Sequence, residues 1–184
     1  GAVRLDVLLA RMVRVQIKGD PGASERVLLS YLKKLTQESV FNTIEAERYL
    51  LLAKDVPGLD VRLALRPLEG SPGDVVGEVT VRRVPVYAEL GVQNYGSRAV
   101  GRTGVTARAQ FNGLTGLGDA TTASLFSTID FEEQQVLQIG HEMRLGSEGF
   151  VLSGDFTYGW TRPTITGATA DFRSRTLSAS IEGR

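Results

Sequence analysis

The chain has 184 residues, of which 42% are apolar, and its formal net charge is zero. That length accommodates one or two domains with a core, and neutrality leaves no electrostatic footprint for nucleic acid. It has no cysteine and one histidine, which excludes a disulfide scaffold and thiolate chemistry and makes a protein-only zinc site a poor fit.

The first half alternates strand and helix patterns. Met12-Val-Arg-Val-Gln-Ile-Lys18 has the two-residue period of a strand and stops at the turn-forming Gly19-Asp-Pro-Gly22. From Glu25 to about Gln37, Leu28, Leu32 and Leu35 recur along one face, predicting an amphipathic helix. Asn42 followed three residues later by Glu45 has capping-box spacing, so a second helix is expected over Thr43 to about Lys54, ending before Pro57-Gly58. Asp60 to Arg66 and Val75 to Arg82 then alternate as strands, joined by Glu69-Gly-Ser-Pro-Gly73. The order β-α-α-β-β predicts a small α+β domain with two helices on one face of a three-stranded sheet.

Composition changes near Val84-Pro85. All lysines (Lys18, Lys33, Lys34, Lys54) lie in the first third, whereas most glycines lie from Gly91 onward. Here strand patterns follow one another without a helix: Val86 to Gln93, Gly104 to Phe111, Thr121 to Ile129, Leu137 to Leu145, Phe150 to Trp160 and Arg173 to Ile181. In Phe150 to Trp160, Phe150, Leu152, Phe156, Tyr158 and Trp160 point one way and Val151, Ser153, Asp155, Thr157 and Gly159 the other. A transmembrane β-strand needs about 9–11 residues, an apolar side toward lipid and aromatic residues near the headgroups. This segment has all three, so antiparallel barrel strands are expected from 86 to 184. Leu152, Phe156, Tyr158, Ile139 and Met143 should then face lipid, and Arg108, Glu142, Arg144 and Asp155 should line a pore. An ordinary soluble sandwich with one wet face shares much of this pattern.

Groups suited to covalent chemistry are few. His141 lies on the apolar side of its strand, where a packed neutral imidazole is expected rather than a general base. Glu132 and Glu133 are adjacent and would face opposite ways on a strand, which fits a solvated loop. Gly113-Leu-Thr-Gly-Leu-Gly118 lacks the Gly-Lys-Ser/Thr ending of a phosphate loop and has no helix pattern after it, so tight turning explains it. No catalytic residue, metal ligand or cofactor is assigned, and the chain is not expected to be an enzyme.

Several segments resemble one family in the same order. Val15-Gln-Ile-Lys-Gly19, Ala46-Glu-Arg-Tyr-Leu-Leu-Leu-Ala-Lys-Asp-Val-Pro-Gly58 and Pro67-Leu-Glu-Gly-Ser-Pro-Gly73 resemble the membrane-proximal POTRA domain of two-partner secretion transporters, the haemolysin secretion/activation or ShlB/FhaC/HecB family. Asn94-Tyr-Gly-Ser-Arg98, Gly101-Arg102 and Asn112-Gly-Leu-Thr-Gly-Leu-Gly-Asp119 resemble the first barrel strands of those proteins. The resemblance implies the tail of a preceding POTRA domain over residues 1–11, a POTRA domain over 12–85 and the N-terminal strands of an outer-membrane barrel over 86–184. The chain is accordingly expected to belong to a longer protein.

The resemblance further implies a bacterial outer-membrane location with the POTRA portion in the periplasm. The implied partners are membrane lipid and an extended segment of a secreted protein. Its implied docking place is the exposed POTRA edge, here Val61, Arg62, Leu63, Ala64 and Leu65, flanked by the helix carrying Leu28 and Leu32. Related POTRA-plus-barrel proteins that assemble or insert membrane proteins are the alternative, and a soluble β-rich binding module stands behind both.

Overall fold

A computed structural model describes residues 9–37, 40–164 and 172–184. Its first part runs β1 (Arg11–Gly19), a short 3-10 turn at Gly22–Ser24, α1 (Glu25–Lys34), α2 (Thr43–Lys54), β2 (Leu59–Pro67) and β3 (Asp74–Arg83). The strands form a sheet in the order β1-β3-β2, with β1 parallel and β2 antiparallel to β3. Both helices cover one side of it. The core joins Val27, Leu28, Tyr31 and Leu32 of α1, Ala46, Tyr49 and Ala53 of α2, and Met12, Val61, Val79 and Val81 of the sheet. On the other side Glu78 of β3 pairs with Arg66 of β2 at 2.8 Å and with Lys18 of β1, tying the three strands together.

Local chemistry explains the boundaries. Asn42 accepts a hydrogen bond from the Ile44 N–H at 3.0 Å and so caps α2. The first helix stops at Lys34, short of the expected Gln37, because its end tightens. Leu35, Thr36 and Gln37 donate to carbonyls three residues back, at 3.1, 3.2 and 3.3 Å. Strand β1 begins at Arg11, inside the stretch expected to close a preceding domain, and Arg11 pairs with Asp74 there. The rest of that stretch, residues 1–8, lies outside the described residues.

The second part is a single six-stranded antiparallel meander. It comprises β4 (Val86–Gln93), β5 (Gly104–Asn112), β6 (Ala120–Thr128), β7 (Gln134–Leu145), β8 (Phe150–Thr161) and β9 (Ser174–Gly183), each paired with its neighbour in sequence. The six strands do not close on themselves, so β4 and β9 each present a free edge. Among the described residues no helix follows Val86, and no helix is long and apolar enough to cross a membrane.

The two parts meet at a short connection. Val84 donates to the Gly58 carbonyl at 2.8 Å, and Asn112 holds both connecting residues, its side chain on Val84 O at 2.9 Å and its backbone N–H on Pro85 O at 2.8 Å. Gly58 has φ +72° there, and a Cβ on it would stand 2.5 Å from Asn112 Cβ and 2.6 Å from Val84 O. The junction therefore needs glycine at this position.

Candidate functional site

Strand register sorts the six-stranded sheet into two chemically distinct faces. Residues directly opposite in a ladder share a face. Leu125 is opposite Leu137, Ile139 opposite Phe156, Met143 opposite Leu152 and Tyr158 opposite Leu177, so these build one apolar face. Its large side chains remain open: Leu90 is 82% exposed, Leu177 66% and Ile181 84%. An apolar surface spread over all six strands demands something apolar against it. Aromatic residues mark its ends, with Phe111 and Phe150 toward the helical lobe and Tyr158 and Trp160 at the far rim.

The opposite face is polar and concave. Arg108 is opposite Glu89 and Ser124, Gln110 opposite Thr122, Gln138 opposite Thr157, Glu142 opposite Ser153 and Asp155 opposite Ser180. All of these but Glu89 line a trough of about 850 Å³, bordered toward the lobe by Asp55 and Pro57. Gly140 lies across from Asp155, and a Cβ there would come within 2.7 Å of the Asp155 carboxylate. Arg108, Glu142 and Asp155 thus sit on the trough wall. Such a surface presents water and mixed charges.

Arg144 shares this polar face, as alternation predicts, but does not line the trough. It is 8% exposed at the lobe end of β7 and donates to Gly118 O at 2.7 Å and to Asp55 O on the other part of the molecule. Its backbone N–H donates to Leu117 O at 2.9 Å. The Gly113–Asp119 loop that it grips is built around Asp119, whose buried carboxylate accepts from the N–H groups of Leu114 and Thr115 at 3.0 and 2.9 Å and from the Thr115 hydroxyl. Burial opposes the charge on Asp119, and the hydrogen bonds from Thr115, Leu114 and Leu117 outweigh it, holding the carboxyl below its usual range. This loop also touches the lobe: a Cβ at Gly118 would lie 3.2 Å from Val27 Cγ1.

A second contact spans the same junction. In the β7–β8 turn, Glu148 accepts from Lys34 of α1 and Arg48 of α2, each at 2.9 Å. Both cations also lie near the Tyr49 ring, at 5.8 and 5.4 Å from its centroid. The Lys34 hydrogen bond, opposed by burial and reinforced by the two positive charges, lowers the Glu148 carboxyl; the same bond raises Lys34.

The expected docking strand is β2, which is an edge of its sheet. Leu28, Leu32 and Val61 are core residues at 0%, 1% and 1% exposure. Leu63 is half-buried, while Arg62, Ala64 and Leu65 are exposed. Only the β2 backbone edge and these latter side chains are open to a partner. His141 Nδ1 lies 2.9 Å from the Thr121 hydroxyl, its register partner on the apolar face. Glu132 and Glu133 occupy the β6–β7 loop, where Glu133 hydrogen-bonds to Asp130 rather than to Glu132, and this contact with burial raises its carboxyl.

No family model matches the chain, and no curated protein matches it by sequence. Solved structures do. The fold is similar to CdiB from Escherichia coli, with a TM-score of 0.69 and 18% identity over 91% of this chain and 31% of that one. It is also similar to BamA from Haemophilus ducreyi lacking POTRA domains 1-3, at 0.62 and 12% over 94% and 32%. CdiB from Acinetobacter baumannii gives 0.58 and 12% over 94% and 33%. The chain therefore spans about a third of the length of these structures, and the likeness is one of fold.

Proposed function

We propose that this chain is the membrane-adjacent part of an outer-membrane protein translocator of the two-partner secretion type. Residues 12–85 act as a POTRA domain in the periplasm, and residues 86–184 supply barrel strands whose polar face borders the export route. The observation that carries this reading is the division of the six-stranded sheet into an open apolar face and a polar trough, with the α+β lobe fastened at one rim. A closed barrel satisfies every backbone group inside a bilayer, so the free edges of β4 and β9 are to be paired by further strands.

The mechanism is recognition followed by conduction, without covalent chemistry. An extended segment of the secreted protein adds to the β2 edge through backbone hydrogen bonds and is delivered to the trough, where Arg108, Glu142 and Asp155 keep the wall wet. The test is export of a cognate partner by the intact protein with its lobe present or deleted, the barrel being checked by heat-modifiable gel mobility. Export should disappear while the barrel remains. Undiminished export without the lobe would rule the proposal out. The likeness to BamA supports a second reading, assembly or insertion of membrane proteins, which predicts instead that depletion removes other barrel proteins from the outer membrane.

A further inference from the structure

At the rim away from the lobe, a shallow cavity of about 390 Å³ lies beside the ends of β8 and β9, and its lining includes Glu132, Tyr158, Trp160, Arg162, Arg173 and Arg175. Trp160 and Arg175 are opposite each other in the ladder and so share the apolar face. The Tyr158 and Trp160 rings stand 5.5 Å apart at 49°. Arg175 is thus a guanidinium on a face that is otherwise greasy. It is exposed and makes no side-chain hydrogen bond or ion pair among the described residues, whereas Arg162 and Arg173 interact with other groups of the protein. The Arg175 guanidinium therefore brings a positive charge to a cavity whose lining also includes the carboxylate of Glu132.

A lipid-facing Arg costs about 2–4 kcal/mol at a bilayer midplane but roughly 0–1 near the interface, so this end of β9 belongs at headgroup depth. Tyr and Trp prefer the same depth. An Arg stem can lie along apolar neighbours while its head reaches the polar layer, and a guanidinium fork matches phosphate oxygens in pairs. We propose that this cavity binds the phosphate of an anionic lipid headgroup in the leaflet away from the lobe, with Arg175 as its principal contact and Tyr158 and Trp160 as the ring platform beside the acyl chains. This rests on the sheet being a membrane-barrel wall.

The test uses the intact protein, purified in mild detergent and offered phosphatidic acid or diacylglycerol of the same acyl chains, with retained lipid counted by native mass spectrometry. Wild type should retain phosphatidic acid in preference to diacylglycerol. Arg175→Gln should lower that retention roughly fivefold, the effect of one cation at a charged interface, and Arg175→Lys by less. Equal retention of the two lipids, or an unchanged Arg175→Gln protein, overturns the site. A third arm offers inorganic phosphate alone. Should it displace phosphatidic acid at equal concentration, the site takes free phosphate and the lipid assignment fails. Heat-modifiable mobility is recorded on each sample. A wild type without it overturns the barrel reading and the lipid site together, whereas a folded barrel with no lipid preference overturns the site alone.

Discussion

Arg144 shows how one side chain can hold two folding units. Its guanidinium satisfies the Gly118 carbonyl in the β5–β6 loop, out of bulk water, and the Asp55 carbonyl at the end of α2. Arg144→Met keeps much of the stem but strips both carbonyls of their donor. A charged hydrogen bond contributes about 1.5–3 kcal/mol, so the variant should be destabilised by roughly that much, with faster proteolysis between Arg83 and Val86. Thermal melting and limited trypsin digestion check both effects. The pH dependence of the junction has a definite sign. Asp119 and Glu148 have lowered carboxyl pKa values, so their stabilisation is fully present above the ordinary carboxylate value of about 4 and is lost as pH falls toward the lowered folded values. Lys34 is raised, and its contribution persists until strongly alkaline pH. Urea midpoints measured from pH 7 to 3 should therefore hold steady and then drop, and Asp119→Asn should flatten the acid limb. Alternation placed Arg144 on the polar face but is blind to height along a strand. The missed signal was its position two residues before Gly146, at the turn end.

Strand β2 is open on one side, and that openness has a testable geometry. Along an antiparallel edge successive N–H groups alternate between the ladder and the free side. Of Leu63→Pro and Ala64→Pro, one therefore removes a ladder donor and the other an outward donor. The variant that leaves circular dichroism and melting near wild type should still weaken binding of an extended partner segment, measured by titration. Equal, undiminished binding by both folded variants would move recognition to another surface. The strands and helices themselves were readable from period, caps and turns, because apolar residues recur regularly from Met12 to Ile181. Their partners were less so. The parallel pairing of β1 with β3, which places β2 on the outside, depends on contacts 63 residues apart, such as Arg11 with Asp74, that no local pattern encodes.

Taken whole, the molecule is a two-faced sheet with a helical lobe fastened at one rim by a buried contact and an exposed one. The exposed clasp of Glu148 with Lys34 and Arg48 lies in reach of mobile ions, whereas the Arg144 contact is shielded. Raising salt from 0.05 to about 0.5 M should loosen the β7–β8 turn from the helices, read as faster amide exchange at residues 146–149, without releasing Gly118. The legibility of the sheet came from its simplicity, a period-two pattern recurring from strand to strand. The junction was illegible because its side chains, Arg144 and Glu148, find carbonyls and cations about 90 to 115 residues away in sequence or in an irregular loop, which no local period encodes. Everything proposed for the molecule depends on which face meets lipid. Comparing Phe156→Arg with Thr157→Arg in the intact protein, by heat-modifiable gel mobility after membrane extraction, decides this. An Arg facing lipid near the midplane costs about 2–4 kcal/mol. Phe156→Arg should therefore deplete the folded barrel while Thr157→Arg leaves it close to wild type; equal folding of the two, or greater loss with Thr157→Arg, would show that the apolar face does not meet lipid.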